Sequence, residues 1–112
     1  MNKPLVYLAS PYTHPDAVVR EIRFKHALLA AGKLLEEGFT VFSPIVHFHP
    51  IAEAYKLPTD WAFWENLCRQ YLSVSNRLIV LEIPGWEEST GVTAEMKIAK
   101  EELNIPIEFI KH

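Results

Sequence analysis

Two short apolar runs place the strongest limit on how this chain folds. Residues 5–9 and 78–81 are rich in side chains that favour β-strands, and in neither run do apolar and polar residues alternate. A strand with this pattern is buried on both faces, as strands are in the parallel sheet of an α/β protein. The rest of the chain therefore has to supply helices that cover both faces of the sheet.

Helical patterns separate the apolar runs. The predicted strands are residues 5–9, 39–42, 78–83 and 106–110, and the predicted helices are residues 17–37, residues 61–75 and a segment that begins near residue 94. Asp16 is predicted to cap the first helix and Gly38 to end it. Thr59 or Asp60 is predicted to cap the second helix. Residues 45–59 follow Pro44 and contain two further prolines, and they are predicted to be irregular.

The composition agrees with one globular domain. The chain has 112 residues, 49% of them hydrophobic, and its net charge of −3 is unlike that of a protein that coats nucleic acid. No segment resembles a signal peptide or a membrane span, so a cytoplasmic protein is expected. Cys68 is the single cysteine, which favours a buried structural thiol over a disulfide or a zinc site. We predict one domain over residues 1–112, a three-layer α/β sandwich with a mainly parallel sheet of four or five strands.

Polar residues follow the predicted strands at the point where each strand ends. In parallel sheets, ligands bind outside the carboxyl ends of the strands, where the strand order reverses. The first and third strands are expected to flank that point. The residues expected to converge there are Tyr7, Ser10, Pro11, Ser43, Pro44, His47, Ser89, Gly91 and Glu95.

Residues 85–96 form the loop that leaves the third strand and the first turn of the next helix. The free N–H groups and the helix dipole at such a start favour an anion, and Ser89 and Thr90 add hydroxyls. Gly91 would let a ligand approach the backbone closely. Glu95 adds one carboxylate to this predicted anion site. The alternative is that Glu95 only stabilises the start of the helix, as acidic residues in a first turn do.

The motifs of other phosphate-binding proteins are missing from the sequence. It contains no GxxxxGK[ST] loop, no pair of carboxylates at a strand end for magnesium, and no glycine in the first turn. No lysine or arginine is adjacent in sequence to these strand ends. A lone carboxylate beside hydroxyls instead suits attack on the anomeric carbon of a sugar. Asp60 or His47 would protonate the departing base, while the alternative role of Asp60 is that of a helix N-cap.

His47 and His49 form a His-x-His pair. On an extended segment both rings would lie on one side, a spacing compatible with a metal ion. No third ligand is evident nearby in the sequence. We therefore expect no metal and no cofactor, and we expect His47 to line the substrate pocket.

Four sequence blocks together resemble a known superfamily. The blocks are residues 7–12, 43–47, 60–61 and 85–95. In order and spacing they resemble the nucleoside 2-deoxyribosyltransferase-like superfamily, and within it the DUF1937 family. The resemblance spans nearly the whole chain and implies a flavodoxin-like, Rossmann-like fold and cleavage or exchange of an N-glycosidic bond.

The resemblance also implies roles for individual residues. Glu95 would be the nucleophile, and Tyr7 would hold Glu95 or the sugar in position. Ser89 and Gly91 would bind a 5′-phosphate or a 5′-hydroxyl, and Trp61 would contribute to the substrate site. The expected ligand is a nucleoside or a nucleoside 5′-monophosphate, with neither a nucleic-acid polymer nor a membrane as partner. A homodimer or a higher homo-oligomer is also implied, in which a neighbouring subunit completes the site.

One position departs from the superfamily pattern. Many members have an aspartate just before the third strand, where this chain has Asn76. If that aspartate assists the base, the task falls here to Asp60 or to water. Two functions remain open from the sequence: a glycosidase or deoxyribosyltransferase that acts through Glu95, and a nucleotide-binding or sensor module that performs no chemistry in the same pocket.

Overall fold

The strands form one parallel sheet, as the apolar runs predict. The computed structural model describes residues 4–111, and within them one sheet has four strands in the order β2-β1-β3-β4. The strands are β1 (Leu5–Ala9), β2 (Thr40–Phe42), β3 (Arg77–Leu81) and β4 (Ile107–Ile110). All three strand pairs are parallel. The chain adds β2 on one side of β1 and β3 on the other, so the strand order reverses between β1 and β3, as predicted.

The two central strands are buried on both faces. After the first residue of each strand, successive side chains of β1 and β3 point alternately into two separate core clusters, and each of these eight side chains is at most 2% exposed. One cluster holds Tyr7, Ala9, Leu78 and Val80, and the other holds Val6, Leu8, Ile79 and Leu81. This explains why both strands read as continuous apolar runs.

Helices cover the two faces of the sheet and complete a three-layer, flavodoxin-like α/β fold. They are α1 (Ala17–Glu36), α2 (Pro44–Tyr55), α3 (Trp61–Ser73) and α4 (Thr90–Lys97), which continues as a π-helical segment at Ile98–Leu103. Ala31 and Leu34 of α1 pack on one face. Cys68 and Leu72 of α3, with Val92 of α4, pack on the other. None of the helices within residues 4–111 has the length and apolar character needed to cross a membrane.

The ends of the helices largely follow the sequence prediction. The Asp16 carboxylate accepts a hydrogen bond from the Val18 amide at 2.8 Å and so caps α1. Gly38, just beyond α1, has a φ of 98°, which glycine adopts without strain. Asp60 occupies the N-cap position of α3, but its side chain makes no capping hydrogen bond. Its carboxylate therefore remains available for another role.

The prediction that residues 45–59 are irregular is wrong, because α2 occupies most of that segment. The Ser43 hydroxyl accepts a hydrogen bond from the Val46 amide at 3.2 Å, and Pro44 is the first helical residue. Proline at this position favours a helix, since its missing N–H would have had no intrahelical partner. The expected extended His-x-His pair is also wrong. Residues two apart on a helix point in different directions, so His47 is exposed and His49 is buried.

Pro50 is exposed and lies inside α2, so its replacement provides a test of this helix. Proline in a helix interior removes a hydrogen bond and costs roughly 3 kcal/mol relative to alanine. We expect Pro50→Ala to raise the free energy of unfolding by about 1–3 kcal/mol in urea titrations. The control is Pro58→Ala, an exposed proline outside the helices, which should bring no gain. A stability loss of equal size in both variants would contradict the helix.

Candidate active site

A cavity of about 500 Å³ opens at the carboxyl ends of β1 and β3, which is a volume typical of small-molecule sites. Its wall comes from the loop after β1, from α2, from the start of α3 and from the start of α4. The lining residues are Ser10, Tyr12, Thr13, Pro44, Ile45, Phe48, His49, Ala52, Thr59, Asp60, Trp61, Ala62, Trp64, Cys68, Glu88, Ser89, Thr90, Gly91 and Glu95.

Glu95 is buried in this wall and pairs with a tyrosine from the centre of the sheet. It lies on the second turn of α4 and is 4% exposed. Tyr7, which is 0% exposed, donates a hydrogen bond from its hydroxyl to Glu95 Oε2. The register places Tyr7 between Phe42 of β2 and Leu78 of β3, so the phenol has a fixed position beneath the carboxyl group.

Burial dominates the titration of this pair. Removal from water raises the pKa of Glu95 to about 8, and the hydrogen bond from Tyr7 offsets part of that rise. Burial also raises the pKa of Tyr7 well above its usual value, and the neighbouring Glu95 charge adds to the effect. Burial raises the pKa of the adjacent Cys68 thiol to about 12. Glu95 is therefore the group of this cluster that titrates nearest neutral pH.

The start of α4 forms the neighbouring part of the wall. The Ser89 hydroxyl caps the helix by accepting a hydrogen bond from the Val92 amide at 3.2 Å. The amides of Thr90 and Gly91 belong to the first turn, where N–H groups precede the intrahelical ladder. A side chain at Gly91 would lie 3.4 Å from the Trp61 ring, an ordinary contact distance. The close neighbour of Gly91 is thus Trp61.

The loop after β1 contributes an unsatisfied hydroxyl. Ser10 is 7% exposed, and within residues 4–111 its Oγ is buried without a hydrogen-bond partner. A buried hydroxyl without a partner is uncommon in folded proteins, and a bound polar ligand would satisfy it. Thr13 in the same loop donates from its hydroxyl to the Thr59 carbonyl oxygen and ties the loop to the segment before α3.

Phe48, Trp61 and Trp64 form an aromatic part of the cavity wall. Trp61 and Trp64 come from the first turn of α3, and Phe48 comes from α2. The Phe48 and Trp64 rings lie 5.3 Å apart between centroids, and Trp64 Nε1 donates to the Pro58 carbonyl at 2.8 Å. Both tryptophans are half-buried and pack against the core that holds Tyr7. These rings offer stacking surface for a flat ligand.

Six of the nine predicted site residues line the cavity: Ser10, Asp60, Trp61, Ser89, Gly91 and Glu95. Tyr7 lies beneath it and reaches it through Glu95. Pro11 is buried outside the lining, and His47 is exposed and packs edge-on against the Phe48 ring at 4.5 Å. Asn76 lies at the opposite end of the strands from the cavity, because it exchanges hydrogen bonds with Leu5, the first residue of β1. The chemical roles of these residues stay predictions.

The cavity wall also holds a polar cluster around His49, which the sequence did not place in the pocket. His49 is 4% exposed, and its ring nitrogens contact Tyr12 Oη at 2.6 Å and Glu21 Oε2 at 2.7 Å. Both Tyr12 and His49 line the cavity. The sequence draws attention to His49 only as part of an extended His-x-His pair, and its place in the cavity wall does not follow from it because residues 45–59 are predicted to be irregular. The Ser43-Pro44 pair, an N-cap followed by proline at the first helical position, was the signal for α2.

Carboxyl groups outnumber cations at the cavity. Asp60, Glu88 and Glu95 line it, and among residues 4–111 no lysine or arginine does. Two arginines of α1 nevertheless reach the loops behind the wall. Arg20 donates to the His14 carbonyl, and Arg23 donates to the Thr13 carbonyl at 2.9 Å. The sequence did not indicate these two contacts, because they join arginines on α1 to carbonyl groups in the loop after β1.

Gly85 shows how closely one of these arginines approaches. Its φ of 96° lies in the left-handed region that favours glycine, and a side chain there would collide with the Arg23 guanidinium. Arg23 therefore packs against the loop that follows β3. The Arg23 guanidinium donates to Thr13 in the loop after β1 and lies against Gly85 in the loop after β3. It therefore connects these two loops behind the cavity.

The raised pKa of Glu95 predicts how stability depends on pH. Between pH 4.5 and about 8 the unfolded chain releases this proton while the folded protein keeps it, so stability falls as pH rises. The expected loss is about 1.4 kcal/mol per pH unit, or roughly 5 kcal/mol across the interval. Glu95→Gln should remove this dependence. Urea unfolding of both proteins at pH 5 and pH 8.5 measures it, and parallel losses in the two proteins would contradict the assignment.

The chain matches a family model over nearly its whole length. The match covers residues 4–107, and the model describes a domain of unknown function, DUF1937. Among curated proteins, none matches this sequence. The matched segment includes every residue that lines the cavity, and it also includes Tyr7. The chain is therefore a member of the DUF1937 family.

Proposed function

We propose that this protein cleaves the N-glycosidic bond of a nucleoside, with Glu95 as the nucleophile. The observation that carries the proposal is the Tyr7–Glu95 pair, a buried carboxyl group held by a phenol in the wall of a ligand-sized cavity. Carboxylates serve as nucleophiles in retaining glycosidases. The resemblance to the nucleoside 2-deoxyribosyltransferase-like superfamily gives independent support for the same residue and reaction.

Attack begins from the ionised form of Glu95. Tyr7 donates to Oε2, which leaves Oε1 to attack the anomeric carbon as the bond to the base breaks. The Tyr7 hydrogen bond stabilises the carboxylate against the cost of its burial. Because Glu95 titrates near pH 8, base release is expected to increase with pH up to that region.

The departing base needs a surface and a proton. Trp61, Trp64 and Phe48 supply aromatic faces in the cavity wall. Asp60 lines the same cavity and does not use its carboxyl group to cap α3, which supports a role as proton donor to the base. With His47 exposed outside the cavity lining, Asp60 is the better candidate of the two that the sequence offered.

The sugar end of the cavity favours an uncharged 5′-hydroxyl over a 5′-phosphate. Ser10 offers an unsatisfied hydroxyl, and the amides at the start of α4 offer donors. A phosphate dianion would share the cavity with Glu88 and with the ionised, attacking form of Glu95, and like charges in a partly buried site repel. We therefore propose nucleosides as the better substrates.

One observation favours the alternative function of a non-catalytic binding module. With a pKa of about 8, Glu95 carries its proton at pH 7, and in that form it would act as a hydrogen-bond donor to a ligand. A sensor would use the group in that form. The two functions differ in what becomes of the ligand, because only an enzyme separates the base from the sugar.

The proposal predicts base release that depends on Glu95. The protein is incubated at pH 8 with ribo- and deoxyribonucleosides and with their 5′-monophosphates, and free base is measured by chromatography. We expect nucleosides to react faster than their monophosphates. Glu95→Gln should lose roughly a factor of 1,000 or more in rate, because removal of a nucleophile leaves only binding and positioning.

The control variant is Glu101→Gln, which changes an exposed carboxyl group on the π-helical segment and should keep the wild-type rate. Intact substrates throughout, with one of them raising the Tm, would contradict the enzyme and favour the binding module. Faster reaction of the monophosphates would contradict the proposed substrate class while leaving the nucleophile in place.

A further inference from the structure

Glu21, His49 and Tyr12 form a hydrogen-bonded triad from three separate elements. Glu21 lies on α1, His49 on α2, and Tyr12 in the loop after β1. The two contacts of the imidazole, 2.6 Å to Tyr12 and 2.7 Å to Glu21, use both of its nitrogens. The Phe24 ring stacks on the imidazole at 4.5 Å between centroids and fixes its plane. The order carboxylate, imidazole, hydroxyl is the arrangement that activates a hydroxyl in nucleophilic enzymes.

The hydrogen positions follow from the chemistry of the partners. An ionised carboxylate only accepts, so an imidazole in its neutral form donates from Nε2 to Glu21. Nδ1 then accepts, and its donor is the Tyr12 hydroxyl. The Tyr12 oxygen also lies within hydrogen-bond reach of the Arg20 side chain and keeps one further lone pair, and Tyr12 lines the cavity together with Glu95. Tyr12 is therefore ready to accept a hydrogen bond from a molecule bound there.

The surroundings of the triad fit proton transfer. Burial and the nearby Glu53 carboxylate raise the pKa of Tyr12, which Arg20 partly offsets, so the free phenol stays protonated at neutral pH. Glu21 supports a positive charge on His49 through its direct contact. At 47% exposure, the Glu21 side chain also connects the buried imidazole with solvent.

We propose that Tyr12, poised by His49 and Glu21, is the general base that activates water in the second half of the reaction, which makes the protein a hydrolase. The proposal rests on the proposed function, since it needs a sugar attached to Glu95. It assigns Tyr12 as a catalytic residue and His49 and Glu21 as positioning residues. None of the three contributes to the attack of Glu95 on the nucleoside.

In this step, water attacks the sugar that is attached to Glu95. The water oxygen forms a bond to the anomeric carbon, and the bond from that carbon to Glu95 breaks, with its electron pair returning to the carboxylate. The water proton passes to Tyr12 Oη while the Tyr12 proton passes to His49 Nδ1. The imidazolium, stabilised by Glu21, then releases a proton to solvent, which balances the proton taken up by the base in the first half.

Rapid-mixing kinetics with the Tyr12→Phe variant test this role. The substrate is the nucleoside from which the wild-type protein releases base fastest. We expect the variant to release one equivalent of base per protein at the wild-type rate and then to turn over roughly 100-fold more slowly. Azide is already a nucleophile without deprotonation, so it should restore turnover of the variant as a glycosyl azide. A purely structural role would reduce the first equivalent and the later turnover together.

Matched variants separate the possible outcomes. Glu21→Gln, at a half-exposed side chain, should slow turnover without slowing the first equivalent, whereas Tyr55→Phe, at an exposed tyrosine on α2, should behave as wild type. Turnover of Tyr12→Phe at the wild-type rate, or loss of its first equivalent, would overturn the role of Tyr12 alone. If Glu95→Gln still releases base, or the wild type releases none, the proposed function fails and this assignment fails with it.

Discussion

The buried contact between Tyr7 and Glu95 is the interaction on which the rest of the site depends. It joins the centre of β1 to the second turn of α4, and it holds a carboxyl group that is only 4% exposed. A group in that position destabilises the fold when it ionises, and the single hydrogen bond from Tyr7 recovers only part of the cost. On the proposed function, this loss of stability accompanies a nucleophile whose pKa is tuned by burial.

The strand order explains how the remaining polar groups come together. Because the order reverses between β1 and β3, the loops after these strands meet at one edge, and α2 and α3 close the sides of the gap. One side presents Ser10 and Tyr12, and another presents the start of α4. The cavity thus combines aromatic surface, hydroxyls and three carboxyl groups, and this combination is the basis for proposing an uncharged ligand with a flat ring and several hydroxyls.

The sequence predicted what depends on local patterns. Continuous apolar runs gave β1 and β3, and an aspartate and a glycine marked the ends of α1, because burial on two faces and helix capping leave direct traces in a sequence. It did not predict α2, because the prolines at 44 and 50 favour irregular structure over residues 45–59, although Pro44 begins the helix. With α2 missing, His49, Tyr12 and Glu21 could not be connected, since their contacts join residues 28 and 37 positions apart. Long-range pairing of this kind is set by tertiary packing and has no local signature.

The central claim is that Glu95 forms a covalent bond to the sugar. The most direct measurement is peptide mass spectrometry on protein that has been quenched with acid during turnover of a nucleoside and then digested. The account predicts that the peptide containing Glu95 gains the mass of one pentosyl group, and that Glu95→Gln gains none. Free base produced while this peptide keeps its unmodified mass at every quench time, or a sugar attached to another residue, would contradict the account.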